Sequence, residues 1–262
     1  MLFDARLLAR ALRPADLDDL RWFGVAGALV PPEESAPPAG AAALRASWEA
    51  LAGPVLGRLR RAGLHGVAAL GVPPRRIPFR GLEALLHELP DFLSRPGAAA
   101  IGEVGLEEGG PREERVLERQ LELAAGLRLP VVARAPWRRR EAITRRLLAV
   151  LKASELEPAR VLVQGVDART VRMVRACGHA AGLLVTGGAA LDEAGAVLRA
   201  QGPEGLVLSS GAGEAGGDLL ALPRAAGRLR QAGLSAAVVR RVCGGNAVRL
   251  LGIDPAALRG RR

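Results

Sequence analysis

The stretch AAAIGEVGLEEGGPREERVLERQLELAAGLRLPVVAR, residues 98–134, contains the repeating unit that decides the fold. It begins with a short apolar run that includes Glu103, continues through a longer segment of alternating arginines and acids, and returns to the apolar run PVVAR. Short apolar or β-branched runs predict strands, and the longer segment has the periodicity of an amphipathic helix. The stretch therefore predicts a strand–helix–strand unit, which joins parallel strands.

The same alternation recurs along the chain. Eight candidate strands are separated by longer segments with helical periodicity: LFDA (2–5), VAGALV (25–30), GVAALGV (66–72), AAIGEVG (99–105), PVVAR (130–134), RVLVQG (160–165), AGLLVTG (181–187) and GLVLSS (205–210). Eight units in 262 residues fit one (β/α)₈ TIM barrel, a single domain over residues 1–262, because this fold takes about 250 residues. A doubly wound open sheet is the second choice, since no strand is followed by a GxGxxG turn. The segment PPEESAPPAGAAA (31–43) is predicted to be a loop at the C-terminal face.

The net charge of +10 raises the question of an acidic partner, but the distribution of the charge weakens that inference. Most arginines alternate with acids on helix-like segments such as GPREERVLERQLELAAGLR (110–128), where ion pairs form an ordinary solvated face. RAPWRRR (134–140) is the dense run of one sign with an aromatic residue inside it. We therefore do not expect nucleic acid as the partner.

Targeting and cysteine signals are weak. No apolar run reaches the roughly 20 residues needed to cross a bilayer, and the segment 1–14 carries an acid inside its apolar part, so we expect a cytoplasmic protein with no membrane association. Cys177 and Cys243 are far apart and lack CxxC spacing, which argues against a disulfide framework and a zinc site. His65, His87 and His179 fall in helix-like segments or just before predicted strands, and we interpret them as structural.

Several strings at the predicted strand ends resemble one enzyme family. LGVPPRRIP (70–78) is similar to the pattern LGxHPRxIP, AIGEVGLEEG (100–109) to AIGEIGLD, and ERQLELAAGLRLPVVARAP (118–136) to RQLELAxELxLPVIVHTP. These are patterns of the TatD family of metal-dependent hydrolases, within the amidohydrolase-like barrels, and the sequence looks most similar to its archaeal-type branch. The resemblance extends from residue 2 to about residue 253 through VDARTVRMV (166–174), AGLLVTGGAALDEA (181–194) and residues 222–252.

The resemblance implies a hydrolase whose His, Glu and Asp side chains hold one or two divalent metals at the strand ends. Here Asp4 and the metal-bridging glutamate, Glu103, are retained. The family's other ligand positions carry different residues: Arg6, Leu8, Pro73, Arg134, Gly165 and Gly211. A protonated guanidinium has no lone pair to donate, and two carboxylates fall short of the three protein ligands typical of catalytic zinc. We therefore expect neither a metal nor another cofactor.

A buried carboxylate without a counter-charge costs several kcal/mol, so the loss of a metal predicts a new cation beside Glu103. Arg6 and Arg134 occupy strand ends and are expected to provide it. In the functional interpretation the arginines, with Arg75, Arg76 and Arg138 at the rim, form an anion site for a phosphate or carboxylate ligand. The predicted ligand-binding residues are Arg6, Glu103, Arg134, Arg138 and Ser210.

Three hypotheses for function follow. The first is a pseudoenzyme with a binding or scaffold role at the barrel mouth, whose partner is an anionic small molecule or a protein. The second is a divergent hydrolase of phosphorylated or other anionic substrates, with Glu103 or Asp4 as the general base and Arg6 and Arg134 stabilising an oxyanion. The third is nucleic-acid binding through RAPWRRR. The glycine-rich loop SSGAGEAGG (209–217) is interpreted either as turn chemistry of the family or as a backbone phosphate site.

Overall fold

Eight parallel strands are hydrogen-bonded in sequence order in a computed structural model that describes residues 1–32, 40–214 and 217–259. The strands are β1 (Leu2–Asp4), β2 (Val25–Val30), β3 (His65–Leu70), β4 (Ala98–Gly105), β5 (Val131–Arg134), β6 (Val161–Gln164), β7 (Ala180–Leu184) and β8 (Leu206–Ser209). All eight predicted runs contain a strand, with bounds that differ by a few residues. The consecutive order confirms the (β/α)₈ barrel and is incompatible with a doubly wound sheet, whose strand order reverses at a switch point.

The barrel is closed between β8 and β1 by backbone hydrogen bonds just beyond the two strands. Gly211 N–H donates to the carbonyl oxygen of Arg6 over 3.2 Å, and Leu8 N–H donates to the carbonyl oxygen of Ala212 over 2.8 Å. The loop after β8 is therefore fixed against the segment after β1.

Helices follow the strands: α1 (Pro14–Trp22), α2 (Ala41–Ala50), α3 (Leu56–Arg61), α4 (Leu82–Leu93), α5 (Pro111–Leu127), α6 (Arg140–Ala153), α7 (Val171–Ala176), α8 (Gly188–Gln201), α9 (Ala221–Gln231), α10 (Ala236–Arg240) and α11 (Asn246–Leu250). A single π-helical turn connects α2 to α3, and a kink with non-helical backbone at Cys243 and Gly244 separates α10 from α11. Among the helices in the described part of the chain, none is long and apolar enough to span a bilayer.

Two predicted loops are described only in part. In the loop predicted over residues 31–43, residues 33–39 lie outside the described residues, and α2 already begins at Ala41 because alanine favours helix. In the loop 209–217, residues 215 and 216 lie outside the described residues.

Helix α5 shows how the sequence builds the outer layer. Pro111 stands in the first turn, where its missing N–H leaves no helical hydrogen bond unmade. Val116, Leu117, Leu121 and Ala124 share one buried face at helical spacing. This apolar face packs against the sheet, while the charged face predicted from the arginine and glutamate pattern turns to solvent.

The strands bury their two faces in two different cores, because successive side chains of a strand point to opposite sides. On β5, Val131 and Ala133 pack outward with the helices, whereas Val132 points into the barrel. The strand residues of the interior core are Phe3, Leu29, Val67, Ala69, Ala100, Val132, Leu162, Ala180 and Val207. Leu251 and Leu258, from the end of the described chain, join this core. The apolar interior fills the middle of the barrel and leaves the inward positions at the C-terminal strand ends for polar residues.

We expect Gly213→Ala to lower the free energy of unfolding by about 2 kcal/mol or more, because alanine at a positive φ is strained. Gly213 has φ +94°, and a Cβ atom there would lie 2.3 Å from the carbonyl oxygen of Leu8. Urea unfolding of the purified variant measures the loss.

Gly227→Ala is the matched control for Gly213→Ala. Gly227 lies in α9, and apart from the adjacent backbone of its own helix nothing lies within 4 Å of the position that a Cβ atom would take there, so alanine is expected to stabilise by about 0.5–1 kcal/mol. Equal effects of the two substitutions would show that the loop after β8 is not held against the segment after β1.

Candidate functional site

The polar side chains at the barrel mouth come from the inward positions of the strand ends. Arg134 is the last residue of β5, two residues after the inward-facing Val132, so it points into the barrel. Gln164 and Ser209 end β6 and β8 in the same way. These side chains form a polar layer above the apolar interior.

Glu103 reaches this layer through an irregularity of β4. Gly102 pairs with Val132 and Val104 pairs with Ala133, so Glu103 is an extra residue on β4 relative to β5. Such a bulge re-aims one side chain without ending the sheet. Gly102 is required here, because a Cβ atom would lie 2.8 Å from the side chain and the carbonyl oxygen of Val132. The Glu103 side chain is fully buried.

Arg6 and Arg134 both contact the Glu103 carboxylate, as the sequence predicted. Arg6 Nε donates to Glu103 Oε1 over 2.8 Å, and Arg134 Nη1 donates to Glu103 Oε2 over 3.2 Å. Arg6 Nη2 lies 3.5 Å from the same Oε2. Both oxygens of the carboxylate are therefore held by guanidinium groups.

A second carboxylate, Glu214, completes the cluster and was not predicted from the sequence. Its Oε1 lies 2.7 Å from Arg6 Nη1 and 3.9 Å from Arg134 Nη2. Glu214 follows β8 in the glycine-rich loop, where Gly211 and Gly213 have positive φ and turn the chain back toward Arg6. The sequence offered this loop as a candidate phosphate site, but it gave no sign that Glu214, the acid within SSGAGEAGG, turns back toward Arg6.

The electrostatics of the cluster favour its charged forms. Burial opposes ionisation of Glu103, but the guanidinium groups of Arg6 and Arg134 outweigh it and hold the pKa of Glu103 below its ordinary value. Burial likewise opposes the charge of Arg6, yet Glu103 and Glu214 raise the pKa of Arg6 above its ordinary value. The four groups form a network of two cations and two anions.

Asp4 accepts hydrogen bonds from the residues where β1 meets β8. Ser210 donates its hydroxyl to Asp4 Oδ2 and its N–H to Asp4 Oδ1, the latter over 3.1 Å, and the N–H of Arg6 donates to Oδ1 over 3.1 Å. Asp4 and Ser210 are fully buried where β1 meets β8, away from the open part of the mouth. Burial raises the pKa of Asp4 to about 6, although these hydrogen bonds act in the opposite direction.

Gln164 is another mouth residue that was not predicted from the sequence, where only the adjacent Gly165 stands at a ligand position of the family. Its amide nitrogen donates to the carbonyl oxygen of Ala5 over 3.0 Å, and its Oε1 accepts from Ser209 Oγ over 3.0 Å. These bonds connect β6 to β1 and β8 across the barrel.

A cleft of about 420 Å³ opens beside the cluster. It is lined by residues from the ends of β5, β6 and β7, from the first turns of α6 and α8 and from the loop after β8: Arg134, Ala135, Trp137, Arg140, Gly165, Val166, Asp167, Leu184, Thr186, Ala190, Glu193, Glu214 and Gly217. The guanidinium of Arg134 lies 4.8 Å from the centre of the Trp137 ring, and that of Arg140 lies 5.7 Å from it. The indole ring is about half exposed and covers the side of the cleft formed by the loop after β5.

The arginines of RAPWRRR (134–140) lie in different environments. Arg134 is buried in the cluster, and Arg140 donates to the carbonyl oxygen of Gly165 over 3.0 Å and lies 3.6 Å from Asp167. Arg138 and Arg139 are exposed, and neither lines the cleft. The predicted ligand-binding role of Arg138 stays a prediction.

The residues at the mouth do not fit a divalent metal. Among the residues that the structure describes, no three His, Cys, Asp or Glu side chains converge on one point. Both oxygens of Glu103 already accept from cationic donors. The histidines do not reach the mouth: His65 begins β3, His179 precedes β7 and contacts the carbonyl oxygen of Pro158 over 3.0 Å, and His87 is exposed on α4.

Comparisons with known proteins agree with the fold and with the predicted resemblance. No protein-family model matches the chain. Over 179 residues, 68% of this chain and 70% of the other protein, the chain is 28% identical to an uncharacterized metal-dependent hydrolase of Methanocaldococcus jannaschii. It superposes on a TatD-like protein of Archaeoglobus fulgidus with a TM-score of 0.82 and 24% identity, over 96% of this chain and 100% of that one. A TatD homolog of Escherichia coli K12 gives a TM-score of 0.72 and 20% identity, over 97% and 98%. These likenesses show that the chain has the barrel fold of these proteins.

We expect Asp4→Asn to change the pH dependence of stability. The pKa of Asp4 rises from 3.8 to about 6 on folding, so the folded protein binds the proton more tightly. This proton therefore stabilises the folded state fully below the unfolded pKa of 3.8. The stabilisation is lost as the pH rises through the folded pKa of about 6, which changes the free energy of unfolding by about 3 kcal/mol. The free energy of unfolding of the wild type minus that of Asp4→Asn should therefore fall between about pH 4 and pH 7.

Urea unfolding across this pH range measures the difference. Asp18→Asn, on the exposed face of α1, is the control for removing a carboxyl group elsewhere. A difference between wild type and Asp4→Asn that rises with pH would contradict the assignment of a raised pKa to Asp4.

We expect Glu103→Gln to destabilise the protein by about 3–5 kcal/mol, because it leaves two buried guanidinium groups with a single carboxylate. Glu193→Gln is the matched control: Glu193 lines the same cleft but accepts the N–H of Ala168, and its replacement should cost about 1 kcal/mol or less. Urea unfolding at neutral pH gives both values. A similar small loss for both variants would show that Glu103 does not balance the arginines.

Proposed function

We propose that this TatD-like barrel has lost metal-dependent hydrolysis and binds a small anionic molecule at its mouth. The observation that carries the proposal is the Glu103 carboxylate, whose two oxygens accept from Arg6 and Arg134. In the family pattern this glutamate bridges metal ions. Here its partners are permanent cations of the same chain.

The donor set supports the loss of metal binding. A divalent cation at this position would have to displace two buried guanidinium groups, and it would then lie close to their positive charges. Arginine offers no lone pair, and the leucine, proline and glycines at the other ligand positions have no donor side chains. Water activation by a metal needs a firmly held cation with an open coordination position, which these residues do not provide.

The alternative, a divergent hydrolase, was expected to use Glu103 or Asp4 as its general base, and neither is accessible. The Glu103 carboxylate is held ionised with both oxygens engaged, so it is a weak acceptor for a further proton. The pKa of Asp4, about 6, would suit a base near neutral pH, but Asp4 is fully buried and its oxygens accept from Ser210 and Arg6. A general base must reach the proton that it removes. Neither carboxylate satisfies this condition.

The cleft favours a small molecule over a protein as the partner. Its volume of about 420 Å³ is within the range of small-ligand sites, roughly 300–1,000 Å³. Its walls offer the Trp137 ring, the guanidinium groups of Arg134 and Arg140, and the hydroxyl of Thr186. A concave site that combines one aromatic face with arginine N–H groups suits a compact anion with a polar body.

Metal analysis and an activity assay test the proposal together. Protein purified without chelator should contain well under one divalent ion per chain by mass spectrometry. With added Mn²⁺ or Zn²⁺, cleavage of a chromogenic phosphodiester should stay at the level of a buffer blank, and Glu103→Gln should not change it.

The hydrolase hypothesis predicts the opposite results. A stoichiometric bound cation, or turnover that the metal stimulates and Glu103→Gln abolishes, would overturn the proposed function. Glu193→Gln serves as the control for nonspecific effects of removing a carboxylate from the cleft.

A further inference from the structure

The four charged side chains at the mouth differ in their access to solvent. The side chains of Arg6, Glu103 and Arg134 are 1%, 0% and 5% exposed, whereas that of Glu214 is 30% exposed. Glu214 also lines the cleft and belongs to a loop, while Glu103 is fixed within β4. Of the two carboxylates that balance the arginines, Glu214 is therefore the one that can be replaced from solution.

The arginines present separate N–H groups to the two carboxylates. Arg6 Nε and Arg134 Nη1 donate to Glu103. Arg6 Nη1 and Arg134 Nη2 face Glu214, at 2.7 and 3.9 Å from the same oxygen, Oε1. The longer distance is beyond a hydrogen bond, and the shorter one is an ion-pair contact without hydrogen-bond geometry, so Glu214 holds the two guanidinium groups unequally.

We propose that Arg6 Nη1 and Arg134 Nη2 form an oxyanion site which Glu214 fills as an internal ligand, and which the carboxylate or phosphate of a small molecule in the cleft takes over. The inference rests on the proposed function, since it requires arginines and not a metal at the mouth. Beyond the proposed function, the inference names Arg6 Nη1 and Arg134 Nη2 as the binding atoms, Glu214 as the competing group of the chain, and a carboxylate or phosphate as the group that is bound.

Glu214 and a ligand oxyanion compete for the two guanidinium groups because either one neutralises the excess positive charge. Without Glu214 the cluster keeps two guanidinium groups and one carboxylate, which leaves a net positive charge in a buried place. An incoming oxyanion restores neutrality, and its several oxygens can accept from both arginines at once. The wild-type site should therefore bind simple anions weakly, because each must first displace Glu214.

The cleft determines what the rest of the ligand contacts. An oxyanion in the place of the Glu214 carboxylate would have Trp137 and Thr186 among the residues around the adjoining space. Glu193 also lines the cleft, so a second anionic group on the ligand would be repelled there. The site thus favours a molecule with one carboxylate or phosphate and an otherwise neutral polar body.

The test uses inorganic phosphate and acetate as probes, with titration calorimetry at low ionic strength on the full chain. We expect Glu214→Ala to bind at least one of the two probes at least about tenfold more tightly than the wild type, as for a charge-assisted hydrogen bond gained. That probe should also raise the melting temperature of Glu214→Ala more than that of the wild type. Phosphate and acetate together show which oxyanion the site prefers. Glu214→Gln, which keeps the shape of the side chain, should gain affinity in the same direction if Glu214→Ala folds poorly.

Two controls isolate the site. Glu193→Ala removes a carboxylate from the same cleft that does not contact the arginine pair, and it should gain little affinity for either probe. The double variant Glu214→Ala/Arg134→Met has a balanced charge without the second guanidinium, so it should lose the gain of Glu214→Ala.

The outcomes separate this inference from the proposed function. If folded Glu214→Ala and Glu214→Gln bind phosphate and acetate no better than the wild type, or if Glu193→Ala gains equally, the oxyanion site is wrong, while a metal-free and inactive wild type still supports the proposed function. If the wild type holds a stoichiometric metal and hydrolyses the phosphodiester, the proposed function fails, and the inference fails with it.

Discussion

The fully buried carboxylate of Glu103 is the constraint on which the arrangement of the mouth depends. An ionised carboxylate cannot stay in the interior without cations and hydrogen-bond donors beside it. Arg6 and Arg134 provide both, but together they bring more positive charge than Glu103 can balance. Glu214 supplies the remaining negative charge from the loop after β8. One buried acid thus accounts for the positions of three further charged side chains.

Two local features place these groups within the barrel: the bulge of β4 and the glycine-rich loop after β8. Strand alternation turns Arg134 inward, and the bulge after Gly102 brings Glu103 to the same layer. The seam between β1 and β8 is held separately, because Asp4 accepts from Ser210 and from the backbone of Arg6. Arg6 is therefore positioned twice, through its backbone at the seam and through its side chain at the cluster. Arg6 therefore links the junction of β1 and β8 to the charged cluster.

The sequence predicted the parts of the structure that depend on local pattern. The eight strands follow from alternating apolar runs and amphipathic segments, and the meeting of Arg6, Arg134 and Glu103 follows because parallel strand ends converge at one face of a barrel. Glu214 could not be predicted, since the course of a glycine-rich loop depends on tertiary contacts such as that between Gly213 and Leu8. The burial of Asp4 in the seam was missed for a similar reason. A residue near a strand end can face the neighbouring strand instead of the mouth.

Under the proposed function, arginines stand where the family pattern has histidines, and this changes what the mouth can recognise even though positive charge remains beside Glu103. A metal and a pair of guanidinium groups both offer positive charge to Glu103. A metal accepts electron pairs, so it can bind water and make it a nucleophile. A guanidinium only donates N–H groups, so it orients an oxyanion but leaves water unactivated. In the proposed function the same positions of the barrel would hold an anion where the family pattern holds a cation, and Glu214 is the anion that the chain itself supplies.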